Sequence, residues 1–249
     1  MLSLIYLIVM STIAGILTGI VGMAALTLYP VLISVGVLPI TANATITVSQ
    51  VAGGLGTVLS SLRELHGHWK QTFQITIVNT IGGVLGALIL IHSSNAGFKK
   101  FVPFFILLAG IMILFPSKNI QSKKQVNKWI KIISWIGVFL VGIYDGYFGA
   151  GAGLLMIAIL SKVINQKYVI YNAMRNFASF IGNLVYAIMF ICMLPIDWKV
   201  IIPLVIGLFI GGYIGPIVVR YIPSQIMKYC VGIFAIVLSF VLGYQAYFK

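Results

Sequence analysis

Acidic residues are nearly missing from this sequence. Of 249 residues only three are Asp or Glu, namely Glu64, Asp145 and Asp197, and 8% are charged in all. Soluble domains carry about a quarter of their residues as charges, so an ordinary water-facing surface is excluded. No charge occurs before Arg63, and none over 71–98, 176–196, 200–219 or 229–248. A helix needs roughly 20 apolar residues to cross the hydrocarbon of a bilayer, and each of these runs is long enough. With 61% hydrophobic residues and a mean hydropathy of +1.11, the chain is predicted to be an all-α polytopic transmembrane bundle with little length left for loops.

Other absences narrow the chemistry. The two cysteines, Cys192 and Cys230, lie in apolar runs without C-x-x-C or zinc spacing and read as packing residues. No G-x-x-x-x-G-K-[ST] occurs, and the Gly-Ala alternation at 149–153 lies in apolar surroundings, where it reads as close helix packing rather than a phosphate loop. The three histidines fall in or beside connectors, at 66, 68 and 92. An intramembrane enzyme would need a nucleophile with its base, or a metal cluster, and no such constellation is present. Glu64, His66 and His68 read as a solvated loop, so neither a metal nor a cofactor is expected. The basic n-region of a signal peptide is also missing, and the first apolar segment is expected to be retained.

Positive charge is abundant, with 16 Lys and Arg and a formal net charge of +13. These residues are dispersed in short connectors rather than gathered on one face. Orientation in the bilayer is their expected use, not nucleic-acid binding.

Laid on itself with a shift of 127, the chain matches Gly15, Gly19 and Gly22 to Gly142, Gly146 and Gly149. With a shift of 129, Asn43-Ala44 falls on Asn172-Ala173, Trp69-Lys70 on Trp198-Lys199, and Gly82-Gly83 and Gly86 on Gly211-Gly212 and Gly215. The reading is an internal duplication: repeat one over 1–115, a basic linker over 116–131, and repeat two over 132–249, together forming one membrane domain. Duplicated halves are a common architecture of secondary transporters. Each half opens with an apolar segment, 2–36 or 132–161, broken by glycines and read as a hairpin or re-entrant pair of short helices. Three ordinary helices follow, near 43–62, 71–92 and 100–115, with counterparts near 170–193, 200–219 and 226–247.

A hairpin makes zero or two crossings, so each half crosses an odd number of times and the halves are inverted. That topology puts Arg63, Lys70, the linker lysines 118, 123, 124, 128 and 131, Lys162, Lys167, Arg220 and Lys228 on one side, and Lys99, Lys100, Lys199 and Lys249 on the other. Lys and Arg concentrate in cytoplasmic loops, which predicts a cytoplasmic linker and both termini outside.

Polar residues inside the apolar runs carry the functional expectation. Asn172, Arg175, Asn176, Ser179 and Asn183 step by 3, 1, 3 and 4 and share a helix face, and Asn43, Thr47, Gln50, Gly54 and Thr57 occupy the matching face in the first half. Lipid cannot satisfy such groups, so both stripes should face the interior. Taken singly, Asn, Gln, Ser and Thr read equally as interhelical glue. Arg175 reads either as an interfacial anchor or as an anion ligand, since its guanidinium fork suits a small oxyanion. Asp145, set among the glycines of the second broken segment, has three readings: a proton carrier, a partner for Arg175, or an N-cap at the helix break. The expected substrate-binding set is Arg175, Asn172, Asn176 and Ser179, with Asn43, Thr47 and Gln50 opposite.

At these residues the chain resembles the TauE/SafE family of sulfite exporters. The doubled glycine-rich segment, Pro30 with Gly36 and Pro39, the alternation at 149–153, Asp197-Trp198 and the Gly-Gly-x-x-Gly-Pro at 211–216 carry the resemblance. It implies a multi-pass protein of the bacterial cell membrane that moves small sulfur-containing anions such as sulfite or organosulfonates, in the outward direction. Where the family commonly shows a glycine run after the first segment's Gly22, this chain has Met23-Ala24-Ala25, so the first hairpin either binds substrate differently or serves as scaffold. The expected partners are the lipid bilayer and a small anion, and a homo-oligomer is allowed. The rival readings are a non-transporting membrane scaffold and a transporter of an unrelated solute.

Overall fold

The computed structural model describes residues 2–114, 128–164 and 166–221, with scattered positions between 233 and 247. The described residues form α-helices and no strand: α1 (Leu2–Val21), α2 (Ala24–Ser34), α3 (Pro39–Leu65), α4 (Trp69–Ile91), α5 (Asn95–Leu114), α6 (Lys128–Tyr147), α7 (Ala152–Val163), α8 (Tyr168–Met193) and α9 (Trp198–Tyr221). Four of them, α1, α4, α8 and α9, are long and apolar enough to cross a membrane. α3 is the longest of the nine at 27 residues, but its polar stripe keeps it out of that group. Large apolar side chains such as Ile77, Ile81, Ile188 and Ile202 stand outward at 55–67% exposure, as a lipid-facing surface requires.

Both broken segments are present, but their first members are not short. α1 and α6 have 20 residues each, followed by return helices of 11 and 12. The breaks fall where the backbone turns left-handed, at Gly22 (φ 76°) and at Gly149 and Gly151 (φ 72° and 79°), a region that costs glycine little. Gly22 is needed for space as well. A Cβ there would lie 2.6 Å from Arg175 Nη1 and 2.7 Å from the Gly153 Cα, because the tips of the two broken segments abut.

Contacts between small residues set the helix directions. Gly15 and Gly19 of α1 lie against Gly211 and Gly215 of α9, so these two helices run parallel. Gly82 lies against Phe139 and Ile143, and Gly86 against Ile143 and Tyr147, so α4 and α6 are parallel too. α3 follows α9, with Gly53 against Gly212 and Glu64 against Arg220. α4 follows α8, with Phe73 against Phe177 and Gly83 against Tyr186. α3 and α8 oppose one another: Gly54 meets Phe180, Gln50 meets Asn183, and Thr45 meets Asp197 beyond the end of α8. Hence α1, α3 and α9 run one way and α4, α6 and α8 the other.

Residues 128–131, assigned above to the linker, form the first turn of α6; linker residues 116–127 lie outside the described residues. The helix expected near 226–247 also falls mostly outside them. Cys192 is exposed on α8 rather than packed inside, and Cys230 lies outside the described residues.

Candidate functional site

Both polar stripes face inward. Asn43, Asn172, Arg175 and Asn176 are at most 2% exposed, and Thr47 and Asn183 are buried as well. Arg175, at 1% exposure, is therefore no interfacial anchor. Its position in the second turn of α8 puts it under the tip of α1, and the guanidinium turns to that tip instead of snorkelling to the membrane surface.

A closed cavity of about 20 Å³ lies where the tips meet, between α1, α3, α6, α7 and α8. Thr18, Gln50, Thr57, Asp145, Arg175, Asn176, Ser179 and Asn183 supply its polar lining, with Gly22, Gly54, Gly149, Gly153 and Phe180 closing it. Such a volume holds about one water. Arg175 Nη1 donates to the Thr18 carbonyl at 3.1 Å and Nη2 to Asn172 Oδ1 at 2.6 Å. Arg175 Nε and Asn176 Oδ1, both buried, have no hydrogen-bond partner among the described residues. Buried donors and acceptors are almost always paired, so an orphaned guanidinium N–H at a cavity wall marks where a ligand can bind.

The cavity brings together Arg175, Asn176, Ser179, Gln50 and Asp145 of the expected residues. It does not include Asn172, Asn43 or Thr47, which are hydrogen-bonded outside its lining. Asn172 Nδ2 donates to the Gly19 carbonyl at 2.9 Å, and Asn43 Nδ2 to the Tyr147 carbonyl at 3.0 Å. Each asparagine holds the last turn of the other half's broken segment. Thr47 donates its hydroxyl to the Asn43 carbonyl at 3.0 Å. The two asparagine amides are spent on carbonyls that the end of a helix leaves without intrahelical partners, and the Thr47 hydroxyl on a carbonyl of its own helix.

Asp145 lies in the last turn of α6. The N-cap of α7 is Gly151, with no side-chain cap bond, so Asp145 does not cap the break. Its carboxyl is hydrogen-bonded by the side chain of Asn79 and lies within electrostatic reach of Arg175. The ion pair that forms among the described residues is a different one, Arg220 with Glu64 at 2.8 Å. Among the described residues no three His, Cys, Asp or Glu side chains converge as metal ligands do. A larger cavity of about 170 Å³, lined by Gln71, Gln74, Ser134, Trp135 and apolar neighbours, lies between α4, α6 and α7 and has no charged group in its wall among the described residues.

Sequence reasoning missed Thr18 and Asn79 and left Thr57 and Asn183 in the stripes without a role. Thr18 had a signal, since the shift of 127 sets it opposite Asp145. Asn79 had a weaker one, as an amide in an uncharged run.

Membrane-crossing helices, two broken segments that meet tip to tip, and a closed polar cavity at their junction define a multi-pass membrane transporter. The chain belongs to the TauE/SafE sulfite exporter family, whose profile matches residues 7–242. It is similar to a "Probable membrane transporter protein" of Haemophilus influenzae, 28% identical over 82% of this chain and 80% of the relative. It is also similar to the "Probable membrane transporter protein YfcA" of Escherichia coli (23%; 94% and 87% covered) and to "Probable membrane transporter protein YtnM" of Bacillus subtilis (25%; 90% and 77%).

Proposed function

We propose that this protein is a secondary transporter that exports small sulfur-containing anions, such as sulfite or organosulfonates, across the bacterial inner membrane. The observation that carries the reading is Arg175, a buried guanidinium at the junction of two broken helices with Nε unengaged in the wall of a closed cavity. A guanidinium presents a planar set of donors matched to oxyanions, and α2 and α7 start at the same junction without side-chain caps, leaving helix N-termini that favour negative charge. The choice of sulfur oxyanions and of the outward direction follows the family description. An unaccompanied anion would also leave a negative interior down the membrane potential.

Inverted repeats give this site its access from both sides. In support, the helices matched by the sequence shifts, α3 with α8 and α4 with α9, run in opposite directions, and cross-half contacts recur in pairs, α1 with α9 and α6 with α4. The excess of Lys and Arg then places the linker in the cytoplasm and both termini outside.

Purified protein in proteoliposomes, offered labelled sulfite, organosulfonates and thiosulfate, tests the reading. The expected result is saturable flux of at least one of them. Arg175→Ala should reduce that flux roughly thirtyfold, the equivalent of losing about 2 kcal/mol of charge-assisted hydrogen bonding, while the variant still reaches the membrane. Liposomes that move no solute would identify a scaffold instead, and normal flux in Arg175→Ala would remove Arg175 from the site.

A further inference from the structure

Arg175 and Asp145 are the two charged side chains in the wall of the central cavity, and every other polar group lining it is neutral. Neither charge is demanded by the scaffold. At the matching positions of the first half, Thr18 stands for Asp145 and Ile46 for Arg175, and that half builds the same broken segment and the same long helix without them. The two charges occur together, in one half, around one small cavity and within electrostatic reach of each other.

We propose that each anion crosses together with one proton, carried on the Asp145 carboxyl; this rests on the anion-transport reading above. With Arg175 protonated and Asp145 ionised, the empty cavity is electrically neutral. An anion drawn to the guanidinium has to widen this space and adds one negative charge among protein walls, and burying such a charge without compensation is strongly unfavourable. A proton taken from water on the open side restores neutrality. It also turns the carboxylate from an acceptor, which repels the anion, into an O–H donor that can hydrogen-bond it. Release on the far side returns Asp145 to its ionised form, its charge balanced by the Arg175 guanidinium within electrostatic reach.

No other group around Asp145 competes for this role. From α4 it faces Asn79, from α8 Arg175 and the Tyr186 phenol, and on its own helix Tyr144. α1 and α3 contribute Thr18, Gln50 and Thr57 to the same cavity, and α7 with the loop before it contributes glycine. Among these groups Asp145 is the one carboxyl, a group that accepts hydrogen bonds when ionised and donates one when protonated. One consequence separates coupled from uncoupled movement. An anion accompanied by a proton is blind to the membrane potential, so export then draws nothing from that potential and proceeds only where the outward anion gradient exceeds any inward proton gradient.

The full chain in proteoliposomes, with methanesulfonate as probe beside sulfite and thiosulfate, decides the matter. Methanesulfonate is fully ionised at every working pH, so any proton dependence belongs to the protein. For a monoanion a pH gradient of one unit should drive about tenfold accumulation, the ratio of the proton concentrations, with almost no current on a solid-supported membrane. In Asp145→Asn the surviving flux should ignore the pH gradient and carry about one charge per anion, whereas Asp145→Glu should keep the coupling. If the wild-type protein moves its anion with the full charge and without regard to pH, the coupling is wrong and the transport reading survives. If no anion on the panel moves, both fall. The wild-type measurement decides even where Asp145→Asn does not fold.

Discussion

The two halves share a scaffold and differ in chemistry. In the first, α3 presents Asn43, Ile46, Thr47 and Gln50; in the second, α8 presents Asn172, Arg175, Asn176 and Ser179 at the same register. Asn43 and Asn172 do equivalent work, each clasping the last turn of the opposite broken segment. Arg175 has only an isoleucine as its counterpart. The clasps belong to the architecture that both halves need, while the charge belongs to the site, which needs one. On the proposed reading, the two matching walls differ at the one position that carries the charge.

The comparison breaks most severely at the tips. Gly22 and Gly36 both have positive φ, but a Cβ on Gly36 meets nothing within 4 Å, whereas one on Gly22 meets Arg175 and Gly153. Gly36→Ala should cost about 1 kcal/mol of backbone strain. Gly22→Ala should cost several times more, with strain and overpacking adding, and should lower the yield of monodisperse protein in detergent sharply. Next in size is Ile46→Arg, which gives the first half the charge of the second. Ile46 is fully buried, and a guanidinium there without a partner should destabilise by about 3 kcal/mol in thermal unfolding followed by size exclusion. A well-folded Ile46→Arg variant with unchanged flux would show that the charge asymmetry is incidental.

The clasps offer a finer test. Asn43→Ala and Asn172→Ala should each cost about 1 kcal/mol for one lost hydrogen bond, and Asn172→Ala should in addition reduce anion flux, because Asn172 Oδ1 also orients Arg175. Equal flux in the two variants would remove that distinction. The smallest effect belongs to Arg220→Ala, which severs the pair with Glu64 at the ends of α9 and α3. With Arg220 one-third exposed, the loss should stay below about 1 kcal/mol.

Much of this arrangement is legible along the chain. The break at Gly22 and the break before Ala152 fall inside the predicted segments, because a run too long for one span that contains clustered glycines has to turn somewhere. The inward orientation of both stripes is equally legible, since the 3- and 4-residue spacing fixes a common face and lipid excludes polar groups from the other one. The full length of α1 and α6 is not. Nothing local says how far a helix penetrates before its glycine is used. The capping role for Asp145 fails for a similar reason: the turn takes four residues, 148–151, and leaves the aspartate behind in α6.

The sequence by itself determined that this chain crosses a membrane several times, that its glycine and asparagine pattern recurs at a shift of 127 to 129, and which of its side chains lipid cannot tolerate. Hydropathy, spacing and self-similarity are local or additive, and they survive without coordinates. Only the tertiary structure decided which of those side chains line the cavity and which are spent holding it together. A broken helix leaves carbonyls that must find donors, and Asn43 and Asn172 became clasps because the last turns of α6 and α1 came to rest beside them.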